Sequence, residues 1–300
     1  MRLSRMISSG WDRMTLRKAV WLASLGIAFV GTLTAFQKDW RVYDSMERYD
    51  DIPVPVDYKQ PAEWVFARLM YPNNPVARGG GFGFRGNRDW RQGGTSWTQD
   101  YPRADRHFAV AMRRLTRVDT RSVEQPVNLD DDDDVFNWPW MAAGEMGDWL
   151  LTPAQAAKLR DYLLRGGFLY MDDFWGPDEY ARFEVSMKAV FPDREVVEID
   201  NTDALFHTVY DLNDRYQILG QWALGGRGRG GGGMYNRRVE GTKAEWKGIY
   251  DDHHRLMVTM SFNSDVGDSW EFADDPNYPD KYSELGIRIG VNYVVYAMTH

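Results

Sequence analysis

Three hundred residues, 43% of them hydrophobic, are enough to bury a sizeable core, so a disordered chain is excluded. With 44 acidic residues against 36 basic ones the net charge is -8, which repels nucleic acid and anionic lipid headgroups and excludes nucleic acid as an expected partner. There is no cysteine, which removes disulfides, thiolate metal sites and cysteine nucleophiles together.

Residues 19–37 carry no charge, and the run AVWLASLGIAFVGTLTAF is apolar and nearly long enough, at about 1.5 Å per residue, to cross ~30 Å of hydrocarbon. Arg2, Arg5, Arg13, Arg17 and Lys18 precede it and only Asp12 opposes them, so the positive-inside bias keeps residues 1–18 in the cytoplasm. The expectation is one transmembrane helix in the inner membrane with the main domain in the periplasm. A cleaved signal peptide is the rival, disfavoured because the apolar run exceeds the usual ~7–15 residues. Residues 38–61, with IPVPVDYKQP at their end, read as an extended tether, and 62–300 as the exported domain.

Within that domain, 64–71 is aromatic and branched and predicts a strand, followed by a Gly-rich loop over 72–94. Phe108, Ala111, Met112 and Leu115 recur at helical spacing and predict an amphipathic helix over 105–118. Five consecutive aspartates, 130–134, precede the short apolar segment VFNWPWMAAG. A helix over 153–165 follows, with Thr152 as N-cap, Pro153 in the first turn and Gly166-Gly167 as the stop. Residues 168–171 read as a buried strand, 178–191 as a helix and 195–199 as another strand. The alternation predicts an α/β fold with a mainly parallel sheet covered on both faces. Beyond residue 200 come a Gly- and Arg-rich loop at 225–233, paired strands at 245–250 and 256–262, and a final apolar helix over 283–298.

Residues 81–86 spell G-x-G-x-x-G, but not between a strand end and a helix start, where a phosphate cradle must sit. No Walker A sequence, H-E-x-x-H or G-x-S-x-G is present, and the five histidines lack ligand spacing, so neither cofactor nor zinc is expected. Carboxylates are the functional groups in surplus. Asp172 and Asp173 close the strand over 168–171, at the sheet edge where open α/β folds bind ligands. There they can hold a cation or act as acid and base, or else simply cap the next turn. Asp265 and Asp268, with Asn263, Ser264 and Glu271, form a second oxygen-rich turn of the same ambiguity, and the run 130–134 reads as a solvated loop or a calcium loop. Among the 13 tryptophans, Trp90, Trp97, Trp138, Trp140, Trp175 and Trp270 fall in expected loops, half of them turned inward. Arg85, Arg88, Trp90, Arg91 and Trp97 in one loop, with Arg227 and Arg229 in the other, have the composition of interface anchors.

FARLMYP with its Gly-rich loop, YPRADRHFAVAMRRLTRVDT, LRDYLLRGGFLYMDDFWG and the ending SFNSDVGDSWEFADDP...GIRIGVNYVVYAMTH resemble the family called domain of unknown function 4159. The resemblance spans roughly 64–300 and implies a class I glutamine amidotransferase-like fold, a flavodoxin-like three-layer sandwich. Amidotransferases end the corresponding strand in a Cys nucleophile; here Met171, Asp172 and Asp173 occupy that place, so that chemistry is excluded. The resemblance also implies an accessory structural subunit of a bacterial photosynthetic reaction-centre and antenna complex.

The function expected from these readings is non-enzymatic: a domain anchored in the bilayer by one helix that docks on an integral membrane protein complex at its periplasmic face. Two alternatives stand beside it. One is a periplasmic hydrolase or carbohydrate-acting enzyme using Asp172 and Asp173 with a divalent ion, the other an envelope ligand-binding module. Whether the two aspartates line an open pocket or are held in hydrogen bonds to the chain separates the classes.

Overall fold

Four short runs with no exposed position lie parallel in one sheet: β1 (Ala67–Met70), β2 (Gln125–Asn128), β3 (Trp140–Ala143) and β4 (Phe168–Met171). β5 (Val197–Glu198), β6 (Glu245–Tyr250) and β7 (Leu256–Phe262) complete a seven-stranded sheet of order β2-β1-β3-β4-β7-β6-β5. β7 joins β4 in parallel, pairing Tyr170 with Thr259, whereas β6 and β5 are antiparallel, so the sheet is mixed. The computed structural model describes residues 38–47, 52–77, 89–224 and 239–300. The expected membrane helix, Arg85, Arg88, Arg227, Arg229 and the G-x-G-x-x-G stretch lie outside them, and among the described residues no helix is long and apolar enough to cross a membrane.

Because successive strand residues face opposite sides, the central strands β3 and β4 feed two cores. Met141, Ala143, Leu169 and Met171 pack under α2 (Pro153–Leu164) and α3 (Gly176–Val190). Trp140, Ala142, Phe168 and Tyr170 pack under α1 (Arg103–Leu115), α4 (Val266–Glu271) and α5 (Asp280–Thr299). α2 starts with a capping box, in which Thr152 accepts from the Gln155 amide while the Gln155 side chain accepts from the Thr152 amide. It stops at Gly166, whose φ of 110° an L side chain rarely adopts.

The structure departs from expectation at several elements. The strand expected over 195–199 shrinks to two exposed residues at the antiparallel edge. β2 carries Pro126, which lacks the ladder N–H and is tolerated because β2 is the opposite edge. Of the six tryptophans expected in loops, Trp140 lies in β3 and Trp270 in α4, and all but Trp90 are buried. The start of the expected tether is no free spacer: Tyr43 joins the core with its ring edge-on to Trp97 at 5.3 Å, and Asp44 bridges to Gly93. Residues 40–300 accordingly form one unit.

Candidate functional site

β4 ends in Asp172 and Asp173, and β7 leads through Asn263 and Ser264 to Asp265, the N-cap of α4. Asp173 takes a left-handed φ of 49°, which aspartate tolerates, and its amide donates to the Ser264 carbonyl at 3.0 Å, tying the two strand ends together. The loop entering α1 contributes Asp100, also left-handed at φ 60°. Glu47, on the segment that packs against this loop, and Glu271, in the last turn of α4, complete the group. With Asp268, in the first turn of α4, seven carboxyl groups thus meet at the carboxyl ends of the central strands, and all but Glu47 are at most 5% exposed.

Some of their oxygens are held by the chain. Asp172 Oδ2 accepts from the Gly267 amide at 2.6 Å and Asp173 Oδ1 from the Trp175 indole at 2.6 Å. Asp265 Oδ1 accepts from the Asp268 amide at 2.9 Å, Asp268 Oδ2 from the Gln221 amide at 2.6 Å, and Glu47 Oε1 from the Gln99 side chain at 2.6 Å. Gly267 is required here, since a Cβ would lie 2.3 Å from Asp100 Oδ2. Both oxygens of Glu271 are buried and meet no donor.

Asp100, Asp265 and Asp268 bring one oxygen each within 4.8 Å of one another, and Glu47, Asp100 and Glu271 do the same, so Asp100 belongs to both sets. The electrostatics follow from the crowding. Burial, then the charge of Asp173, pushes Asp172 up to about 7. Burial followed by neighbouring carboxylates raises Asp100, Asp265 and Asp268 well above the ordinary range, and burial with Glu47 raises Glu271 to about 10. The buried cation beneath them, Arg68 of β1, is committed elsewhere. Its Nε donates to Asp105 at 2.9 Å and its Nη1 to the Gln99 carbonyl at 3.0 Å. Burial would lower Arg68, but the Asp105 charge overcomes this and keeps it protonated.

Asp172, Asp173, Asp265 and Asp268, singled out from the sequence, are therefore brought together. Glu47, Asp100 and Arg68 were not foreseen; YPRADRHF, which follows Asp100, was the nearest signal. The expected anchors fare differently. Trp97 is no surface anchor: it is 1% exposed, because the loop folds its ring into the core and its Nε1 donates to the Trp90 carbonyl at 2.8 Å. Arg91 remains at the surface, stacked over Trp90 at 4.4 Å and paired with Asp130 at 2.8 Å. The run 130–134 is only partly solvated, since Asp134 is buried and accepts from the Trp138 indole at 3.2 Å.

The sheet and its edge define an α/β domain whose candidate site lies where open parallel sheets carry theirs. Over residues 89–298 the chain matches the family described as Domain of unknown function (DUF4159), and it belongs to that family. No curated protein matches it.

Proposed function

We propose that the chain is a non-enzymatic, single-pass accessory subunit of the inner membrane whose periplasmic domain docks on and stabilises a larger membrane complex, a photosynthetic reaction centre being the instance the family resemblance implies. The observation that carries this reading is the closed sheet edge. Asp172 and Asp173 stand where an amidotransferase-like fold would place its nucleophile, yet they are buried and held by Gly267 and Trp175. Two surface cavities of the domain lie elsewhere, one against Asp214 and Arg288 and one against Tyr180 and Arg194. The finer fold assignment is part of the same proposal: numbered among themselves, the parallel strands β2-β1-β3-β4-β7 run 2-1-3-4-5, the flavodoxin-like order. Purification of the native chain in mild detergent tests it. An integral membrane complex at fixed stoichiometry is expected, and recovery of the chain alone even at the lowest salt would refute it.

One observation favours the enzyme as second reading: Asp172, raised to about 7, is poised to exchange a proton near neutrality. On that reading, hydrolysis of chromogenic glycosides or esters by the full chain is abolished by Asp172→Asn. Equal turnover by both forms removes it.

A further inference from the structure

We propose that Glu47, Asp100, Asp265, Asp268 and Glu271 form a binding site for a hard divalent cation, calcium by preference, with Asp100 shared between two overlapping sets of carboxylate ligands. The two sets are those whose oxygens approach within 4.8 Å. Clustered acids by themselves are met by capping and by protons, and here capping accounts for part of the group. Main-chain or side-chain donors hold one oxygen of Asp265, one of Asp268 and one of Glu47. Glu271 is different. It is 0% exposed, neither of its oxygens meets a hydrogen-bond donor, and it is aimed at Glu47 and Asp100.

A buried carboxyl group without a donor is costly, and a native fold retains one only where something satisfies it. A single proton shared between Glu271 and Glu47 would satisfy one oxygen of Glu271 and leave the other bare. It would also do nothing for Asp100, Asp265 and Asp268 on the other side of the cluster. Arg68 cannot serve, because its guanidinium is spent on Asp105 and on the carbonyls of Trp97 and Gln99. A divalent cation neutralises two charges at once and offers several coordination positions to oxygens arriving from different segments. The donors are all carboxylate oxygens, which suit calcium, magnesium or manganese rather than softer metals. Calcium is favoured among these because it accepts six to eight oxygens at flexible geometry, whereas magnesium dehydrates reluctantly and seldom takes an all-protein cage. The positions of the acids fit the role: Asp265, Asp268 and Glu271 recur at every third residue through α4, on the side that meets Asp100.

This site is independent of the docking reading, since a domain can dock with or without a bound ion. The test is calorimetric titration of calcium chloride into the full chain, purified in mild detergent and stripped with a chelator, together with melting curves. Saturable calcium heat is expected, with a melting temperature that calcium raises and the chelator returns. Glu271→Gln, which keeps shape and removes charge, should weaken calcium by at least ~10-fold, the lower end of what even outer-shell losses cost. If that variant does not fold, Asp100→Asn reads the same loss. The double change Asp132→Asn with Asp133→Asn, in the acidic run far along the chain, should leave the titration unchanged. Absence of heat and of any melting shift at millimolar calcium overturns the proposal. So does calcium binding that survives Glu271→Gln and Asp100→Asn undiminished, or that disappears only in the Asp132/Asp133 variant.

Discussion

Asp172 feels the charge of Asp173 and, opposing it, that of Arg68, and burial followed by the Asp173 charge raises it to about 7. The sign of its effect on stability follows. Below about pH 4 the folded and unfolded chains both hold its proton; between about 4 and about 7 only the folded chain does, so stability falls as pH rises through that window. Glu271, raised to about 10, extends the same trend to higher pH. Carboxylates lowered by their partners, Asp193 with Arg160 and Asp251 within its turn, lose stability only on acidification below their unfolded range and so do not oppose it above pH 5. Chelator-treated protein should therefore melt at higher temperature at pH 5 than at pH 8, and Asp172→Asn should narrow the gap. Circular dichroism melts decide this, and a melting temperature flat or rising across that interval would count against the buried cluster. Asp172, Asp173, Asp265 and Asp268 could be picked from the sequence because a strand end and a polar turn are local features. Glu47, Asp100 and Arg68 could not, since their meeting depends on packing among segments separated by as much as the length of the domain.

Elements were legible where local chemistry and burial agree. The helix over 153–164 announces itself through Thr152, Pro153 and Gln155, and the 245–250 and 256–262 pair through its branched and aromatic runs. β2 was hidden by Pro126, which argues against a strand unless the strand is known to be an edge, a property of topology rather than sequence. Trp97 misled for a related reason, since composition does not tell which way a loop folds its rings. Two substitutions test the packing so found. Thr152→Ala removes one side of the capping box and should cost about 1 kcal/mol in denaturant unfolding, with the helix otherwise intact. A larger cost is expected of Gly290→Val in α5, where a Cβ would stand 2.5 Å from the Phe108 ring and 2.9 Å from Trp270. The helix would have to move off α1 and α4, so a loss of about 1–3 kcal/mol or more should appear. An unchanged midpoint would mean that α5 does not pack this closely.

At the scale of the whole molecule, the docking proposal makes a demand on the surface rather than on the core. Trp97 and the buried tryptophans are occupied internally, which leaves, among the described residues, Arg91 on Trp90 and the half-exposed Trp222 to meet a partner. Arg91 pairs with Asp130 and Asp89 at the surface, where such pairs contribute at most ~1 kcal/mol, so its loss should not unfold the domain. Trp222 stands only three residues before the Gly- and Arg-rich stretch, and an aromatic beside Arg is the combination that concentrates binding energy in interfaces. On the docking proposal, a single membrane anchor confines the domain near a membrane-embedded partner and raises its effective concentration, so a few contacts of this kind suffice. Arg91→Ala combined with Trp222→Ser, or deletion of residues 225–233, should then release the chain from its complex in mild detergent while its melting temperature stays at the wild-type value. The measurement is the stoichiometry of the copurifying complex after washing at increasing salt. Retention of both altered chains at the native ratio through high salt would remove these residues as the grip and shift weight to the enzyme reading carried by Asp172.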